Sequence, residues 1–586
     1  MSGVSADVVR IGNCSGYYGD RFSAMREMLE GGELDYLTGD YLAELTMLIL
    51  GRDRMKDATL GYAKTFVRQM TDSMALAKEL GVKIVANAGG LNPAGLADKL
   101  REIAAEQDLE ISIAHVEGDD LLARSGELAF GSVMTANAYL GAFGIAAALR
   151  AGADIVVTGR VTDASVVVGP AIAHFNWDRS DLDRLAGAVV AGHVIECGTQ
   201  ASGGNFSGFT ELDMSSPLGF PIAEISDDGS AVITKHDGTG GAVTVDTVTA
   251  QLVYEIGHPT YLGPDVSARL DTLELAQTAP DRVSITGAVG EAPPATAKVC
   301  LNALGGFRNS VEFLLTGLDI PEKAALIQEQ MESALAAGTA PESIEWQLDR
   351  TDIPDPETEA AATSLLRCQV RSAQPDPVGR AFSDAAIQLA LASYPGFSVT
   401  RPPAAGTPFG VYRPAYVPQS EVPHVVVHAD GTRQEIPPPE AVSTGQAAAA
   451  ARTRPELPEW VGDIVRTQLG RLVHARSGDK GGDANIGVWI PADHPHRDDA
   501  YAWLAGFLDE ATIRELLPET ATLELEIHLL PNLAAVNIVV HRLLGEGVAS
   551  STRLDPQAKG VGEWLRARDC AMPARLLPEH VAQAAL

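Results

Sequence analysis

Over the first 160 residues, short runs of nearly unbroken apolar character alternate with longer stretches whose apolar residues recur every three or four positions. The runs are VVRIGN (8–13), KIVANAG (83–89), LEISIAHV (109–116) and DIVVTGR (154–160). Between them lie PAGLADKLREIAAEQ (93–107) and TANAYLGAFGIAAALRAG (135–152), both with the helical period. Apolar strands separated by helices predict a parallel sheet covered on both faces, with ligands bound beyond the carboxyl ends of the strands. Polar residues gather at those ends: Asn13 and Cys14, Asn87 to Asn92, and Arg160 to Asp163. Asp40, in LDYLTGDYLAE, ends a further short run.

From about 200 to 310 the pattern turns to glycine-rich loops and shorter strands. GSAVITKHDGTGGAVTVDTV reads either as a hairpin or as a strand, loop and helix. A helix is predicted over 318–338, and α/β elements continue to about 430. Residues 431–460 are rich in proline at both ends and alanine between, which predicts a linker. Beyond it, RLVHAR, ANIGVWI, TLELEIHLL and AAVNIVVHRLL read as strands of a compact α+β domain over 465–575.

Length and charge narrow the function. The 586 residues exceed one ordinary core. They carry 44 Lys and Arg against 77 Asp and Glu, a formal charge of −33. Such a surface repels phosphate backbones and anionic bilayers, so neither nucleic acid nor membrane is an expected partner. No uncharged apolar run approaches the roughly 20 residues of a membrane span, and the start lacks the basic flank of a signal peptide. Five widely spaced cysteines fit a reducing compartment. The expectation is a multidomain cytoplasmic protein.

Candidate chemistry centres on HVIECGTQASGGN, residues 193–205. With 185–197 helical, His193 and Cys197 share a face, and an imidazole can activate a thiol. The competing reading is a buried Cys197 with no chemical role. Gln200, Gly203, Gly204 and Asn205 then form a loop that approaches a ligand closely. Arg160 either forks a substrate carboxylate or pairs with Asp163, while Thr162 and Asp163 serve the site or cap a helix. Asn13, Cys14, Asn87, Gly89, Gly90 and Asn92 line neighbouring strand ends. Lys235, Asp237, Gly238 and Thr239, in KHDGTGG, offer backbone N–H groups to an anion without the spacing of a nucleotide loop. Arg476 and Lys480, in HARSGDKGGDAN, form an anion pocket or a tight hairpin loop. There is no HExxH and no CxxC, so no metal site is predicted; a catalytic divalent ion stays open as an alternative that no motif supports.

Taken in order, IGNCSGYYGDR, VANAGGLNP, VVTGRVTDAS, HVIECGTQASGGNF, KHDGTGGAVTVDTVTAQLVYEIGHPTYLGPDV and RSGDKGGDANIGVW resemble the acyclic terpene utilisation protein A (AtuA) family. The resemblance implies a main domain over 4–450, divisible at about 200 into 4–200 and 201–430, and a ferredoxin-fold domain over 465–575. It also implies catabolism of branched, terpene-derived acids as coenzyme A thioesters. The expected reaction is lyase or hydratase-like, with the acyl-CoA as substrate and no bound cofactor. His193 or Asp163 would be the base, and Asn205 with the amides of Gly203 and Gly204 would stabilise an enolate. Two alternatives stand beside this: a thioesterase or acyltransferase using Cys197, and a non-enzymatic subunit of an acyl-CoA carboxylase assembly. A homo-oligomer is the expected assembly.

Overall fold

The computed structural model describes residues 8–443, 454–455 and 462–585. They form two compact units, one within Met1–Asn302, Tyr412–Val548 and Asp555–Leu586, the other within Ala303–Val411 and Ala549–Leu554.

The first unit is organised by β1 (Val8–Asn13), β2 (Tyr36–Gly39), β3 (Lys83–Ala86), β4 (Ile113–Glu117), β5 (Thr135–Ala138) and β6 (Ile155–Thr158). Five of these lie parallel in the order β1-β2-β3-β6-β4. Antiparallel strands extend both edges: β7 (Pro221–Ser226) and β8 (Ala231–Lys235) beyond β1, and Val425–Val427 with Arg433–Glu435 beyond β4. The strands are apolar on both faces because both are covered. Val85 and Val156 pack with the helices Phe143–Arg150, Ser165–Phe175 and Leu182–Ile195. Their neighbours Ile84, Ala86, Ile155 and Val157 pack with Ala24–Gly31, Lys64–Leu80 and Pro93–Glu106. The parallel core with flanking helices is therefore as the pattern predicts, but the sheet as a whole is mixed, with six antiparallel strands added at its edges.

Three local readings change. Residues 135–152 are not one helix: Thr135–Ala138 is β5, pairing antiparallel with Val299–Asn302, and the helix starts at Phe143. That strand partner lies some 160 residues away, beyond the reach of a local period, and it overrides helix propensity. Residues 431–443, assigned to a linker, instead supply Arg433–Glu435 to the sheet edge and a bridge from Ser443 to Pro294. The rest of that stretch, 444–453 and 456–461, lies outside the described residues. Arg476 and Lys480 lie on the strand His474–Lys480, paired residue by residue with Asp483–Trp489, so the loop is only the turn at 481–482. Of the two readings of 229–248, the structure has β8, a loop and the helix Val245–Leu252, whose Thr244 and Thr247 cap it reciprocally.

Within the same unit the C-terminal domain has a four-stranded antiparallel sheet, ordered His474–Lys480, Asp483–Trp489, Ala535–Val540, Leu525–Leu530. Along the chain, helices Arg497–Phe507 and Glu510–Leu516 follow Asp483–Trp489, and Val561–Arg566 follows Ala535–Val540. This is the neighbour order of a ferredoxin-like sheet whose last strand has moved to the front of the sequence. In the second unit, Thr363–Ser372 pairs on one side with Phe307–Thr316 and on the other with Ser343–Asp349. The predicted helix appears there as Ile320–Ala336, packed on Phe313, Leu366 and Val370. Among the described residues, no helix is long and apolar enough to cross a membrane.

Candidate functional site

The polar strand ends of the first unit hold one another in place. After β1, the Asn13 amide donates to the carbonyls of Ile195 (2.7 Å) and Glu196 (2.8 Å). Gly16 sits so close to the Cys197 backbone that a Cβ would lie 2.6 Å from its carbonyl carbon, so glycine is what lets the two turns meet. After β2, buried Asp40 accepts from Asn87 Nδ2 at 2.6 Å, and Asn87 Oδ1 accepts from Tyr41 N at 2.7 Å. After β4, Asp119 accepts from the Arg160 backbone N–H and from Asn137 Nδ2, each at 2.8 Å. After β6, Arg160 reaches Asp163 at 2.6 Å, donates to the Leu42 carbonyl and lies over the Tyr139 ring, 4.3 Å from its centroid. Five strands thus deliver their ends to one polar floor.

The C-terminal hairpin faces this floor. Asn485 donates to the Val253 carbonyl (3.0 Å) and accepts from Glu255 N (2.7 Å), while Trp489 Nε1 donates to Asp246 (3.0 Å). Gly478 lies against the Tyr254 ring where a Cβ would not fit. Arg476 spans the Tyr254 ring at 4.4 Å, donates to the Asn205 carbonyl at 3.2 Å and binds Gln200 Oε1. Lys480 donates to the Glu255 carbonyl at 2.6 Å, and Lys559 to the Tyr254 hydroxyl at 2.7 Å. Glu255 itself is held at φ 55°, a conformation uncommon outside glycine and asparagine.

Between floor and hairpin, charged side chains keep accessible surface. Asp163 and Glu44 are each 25% exposed and Lys298 32%, with Lys298 3.5 Å from Glu44 and Tyr139 donating to Glu44 at 2.8 Å. Lys480 is more open still, and partial desolvation of its ammonium, with Lys298 nearby, lowers its pKa. Burial alone would raise Glu44, but Lys298 and Arg160 outweigh it and hold the carboxyl at about 2. Burial, with Glu255 and Glu44 adding repulsion, pushes Asp479 up to about 7. Burial and Asp163 raise Asp40, and burial, Asp163 and Glu255 raise Glu196. The arrangement brings together two ammonium groups, which can stabilise negative charge, and a carboxyl that exchanges its proton near neutrality.

The residues singled out from sequence divide clearly. Asp163, Arg160, Cys197 and Lys480 lie among these charges, and buried Arg476 holds Gln200 beside them. Of the two readings of Arg160, the structure shows the ion pair with Asp163. His193 is buried, its Nδ1 3.3 Å from Glu196 Oε1 and its ring against Tyr261; burial and Lys480 push its pKa to about 4. A neutral imidazole turned to Glu196 does not activate Cys197, and burial with Glu255, Glu196 and Asp40 raises that thiol well above its ordinary value. Cys14 is buried against the Thr38 carbonyl and pushed up to about 12 by burial. Asn205 is an exposed turn residue at φ 58°, with its carbonyl given to Arg476. Thr162 bonds Ser165 at 2.5 Å at the start of the next helix.

Other predicted positions are architectural. Asn92 caps the helix Pro93–Glu106 by accepting from Gly95 N at 2.9 Å. Gly89 abuts the Thr158 carbonyl, and Gly90 and Gly203 turn the chain at φ 53° and 107°, with Gly204 packed on the Thr199 carbonyl. Lys235 is taken up by the Thr239 carbonyl (2.9 Å) and Asp281 (3.2 Å), while Asp237 and Gly238 are exposed. The KHDGTGG loop thus spends its cation internally. Glu44, Glu255, Lys298, Asp479 and Lys559 were not singled out. Asp479 sat inside a segment already marked; the others carry no motif, and only tertiary pairing brings them here. Among the described residues, no group of three or more His, Cys, Asp or Glu is placed to hold a metal ion.

A family model, acyclic terpene utilisation family protein AtuA, matches residues 9–428. The chain belongs to the AtuA family. A second model, the AtuA ferredoxin-like domain, matches residues 467–570, the hairpin-bearing domain that faces the strand ends. The AtuA family match thus covers the floor of the cleft and the ferredoxin-like match its opposite wall. Searches of curated proteins and of solved structures each return no match.

Proposed function

We propose that this AtuA-family chain is an enzyme that adds water to, or eliminates it from, a branched-chain acyl-CoA thioester. The observation that carries the reading is the convergence of partly exposed Asp163, Glu44, Lys298, Lys480 and Asp479 at the carboxyl ends of a parallel sheet, under a second domain. In the hydration direction, Asp479 takes a proton from water as its oxygen bonds to the β-carbon. The α,β double-bond electrons move toward the thioester carbonyl, where Lys480 and Lys298 stabilise the oxyanion, and a proton then returns to the α-carbon. Family membership supports the choice of branched, terpene-like acyl groups. The raised thiol of Cys197 weighs against the thioesterase alternative.

The test is mass spectrometry of purified protein incubated with a panel of branched α,β-unsaturated and β-hydroxy acyl-CoAs. The expected result is a mass change of one water on at least one substrate, with kcat falling about 100-fold or more in Asp479→Asn. No turnover on any member, or full activity in that variant, contradicts the reading.

A further inference from the structure

In the second unit, two arginines stand directly opposite each other across a strand pair. Arg308 is the register partner of Arg371. Opposed residues of an antiparallel pair project to one face with Cβ atoms about 5 Å apart, and like charges so placed repel. Both guanidinium groups lie over the same ring, Phe409, at 5.8 and 5.2 Å from its centroid. Arg371 gives one bond to the Ser550 carbonyl, and its buried Nε has no partner. The guanidinium of half-buried Arg308 makes no hydrogen bond or ion pair with any described residue. Glu345, opposite Gln369 on the same sheet, pairs with neither.

The contrast with the same strands is informative. Four residues along, Arg367 faces Glu312 and is held by it at 2.9 Å. Acids are abundant in a chain of charge −33, and one was placed opposite Arg367 but not opposite Arg371 or Arg308. Burial, with repulsion from Arg371 added, lowers the Arg308 pKa, and like charges directly opposed across a strand pair destabilise it. An anion between two guanidinium forks removes that cost and satisfies the orphaned donor.

We propose that Arg308 and Arg371, backed by Phe409, form a binding site for a phosphate-class dianion. Two opposed guanidinium groups match a doubly charged tetrahedral group better than a single carboxylate. The source is either inorganic phosphate or the phosphate of an organic ligand.

Isothermal titration of the full chain with inorganic phosphate, pyrophosphate, phenyl phosphate and acetate tests this. Saturable one-to-one binding of at least one phosphate probe, with acetate inert, is expected. Inorganic phosphate as the best probe identifies a free-ion site, and phenyl phosphate as the best identifies an organic ligand. Arg308→Met weakens the binding at least tenfold, and Arg308→Lys retains part of it. Melting in anion-free buffer guards against misfolding: Arg308→Met melts no lower than the wild type, because repulsion is relieved, and phosphate raises the melting temperature of the wild type alone. Absence of binding to all three phosphate probes, or equal affinity in folded Arg308→Met, overturns the proposal.

Discussion

Arg476 donates to the carbonyl of Asn205 at 3.2 Å, joining a strand of the ferredoxin-like domain to a turn 271 residues earlier. The bond, with its companion to Gln200 and the stack on Tyr254, fixes how the hairpin meets the strand ends. In Arg476→Met the stem survives and the fork is lost, so the bonds to the Asn205 carbonyl and to Gln200 are broken. The expected outcome is faster hydrogen exchange over 198–206 and 474–480, with little change in the sheet core. Unaltered exchange in both segments would show that Arg476 does not hold them together.

Asp119 offers a test through pH. Burial raises its carboxyl to about 7, so the folded state retains a proton that the unfolded chain releases near the ordinary aspartate value of 3.8. Its contribution is therefore most favourable below about pH 4 and is lost as pH rises through about 7. The maximal slope is about 1.4 kcal/mol per pH unit. Asp119→Asn keeps an acceptor for Arg160 N and Asn137 but does not titrate. Denaturant unfolding at pH 5, 6, 7 and 8 is expected to show wild-type stability falling relative to the variant up to pH 7 and then running parallel. A constant difference over the whole range contradicts the assignment.

The Cys197 thiol is raised by burial and by Glu255, Glu196 and Asp40. Cys197→Ser is expected to retain turnover within about threefold, and alkylation by iodoacetamide at pH 7 to be slower than for a free thiol. A covalent acyl adduct on Cys197, seen by peptide mass spectrometry, would reverse that assignment.

Much of this architecture was legible beforehand because strand burial on both faces writes unbroken apolar runs. VVRIGN, KIVA and IVVT became β1, β3 and β6, and their polar successors became the floor of the cleft. Long-range pairing was not legible. Thr135–Ala138 is a strand only because Val299–Asn302 lies beside it, and Lys298 meets Glu44 only because that pairing brings it in. Roles were also misjudged where spacing stood in for environment. His193 and Cys197 are four residues apart, but Glu196 lies between them and takes the imidazole.

Asp479 is expected to set the acidic limb of the pH–rate profile. Burial, Glu255 and Glu44 place its carboxyl at about 7, so hydration, which needs the carboxylate, rises as pH passes through 7. Glu255→Gln removes one of the repelling charges and should move that limb to lower pH. A limb that stays in place shows that another group controls it.

The most direct measurement is hydrogen–deuterium exchange of the full chain with and without a branched acyl-CoA. Protection is expected to be confined to residues 40–44, 160–163, 196–205, 253–256 and 476–482, on the strand ends and the hairpin at once. Binding that protects other segments, or the strand ends without the hairpin, would contradict the assignment of this cleft as the acyl site.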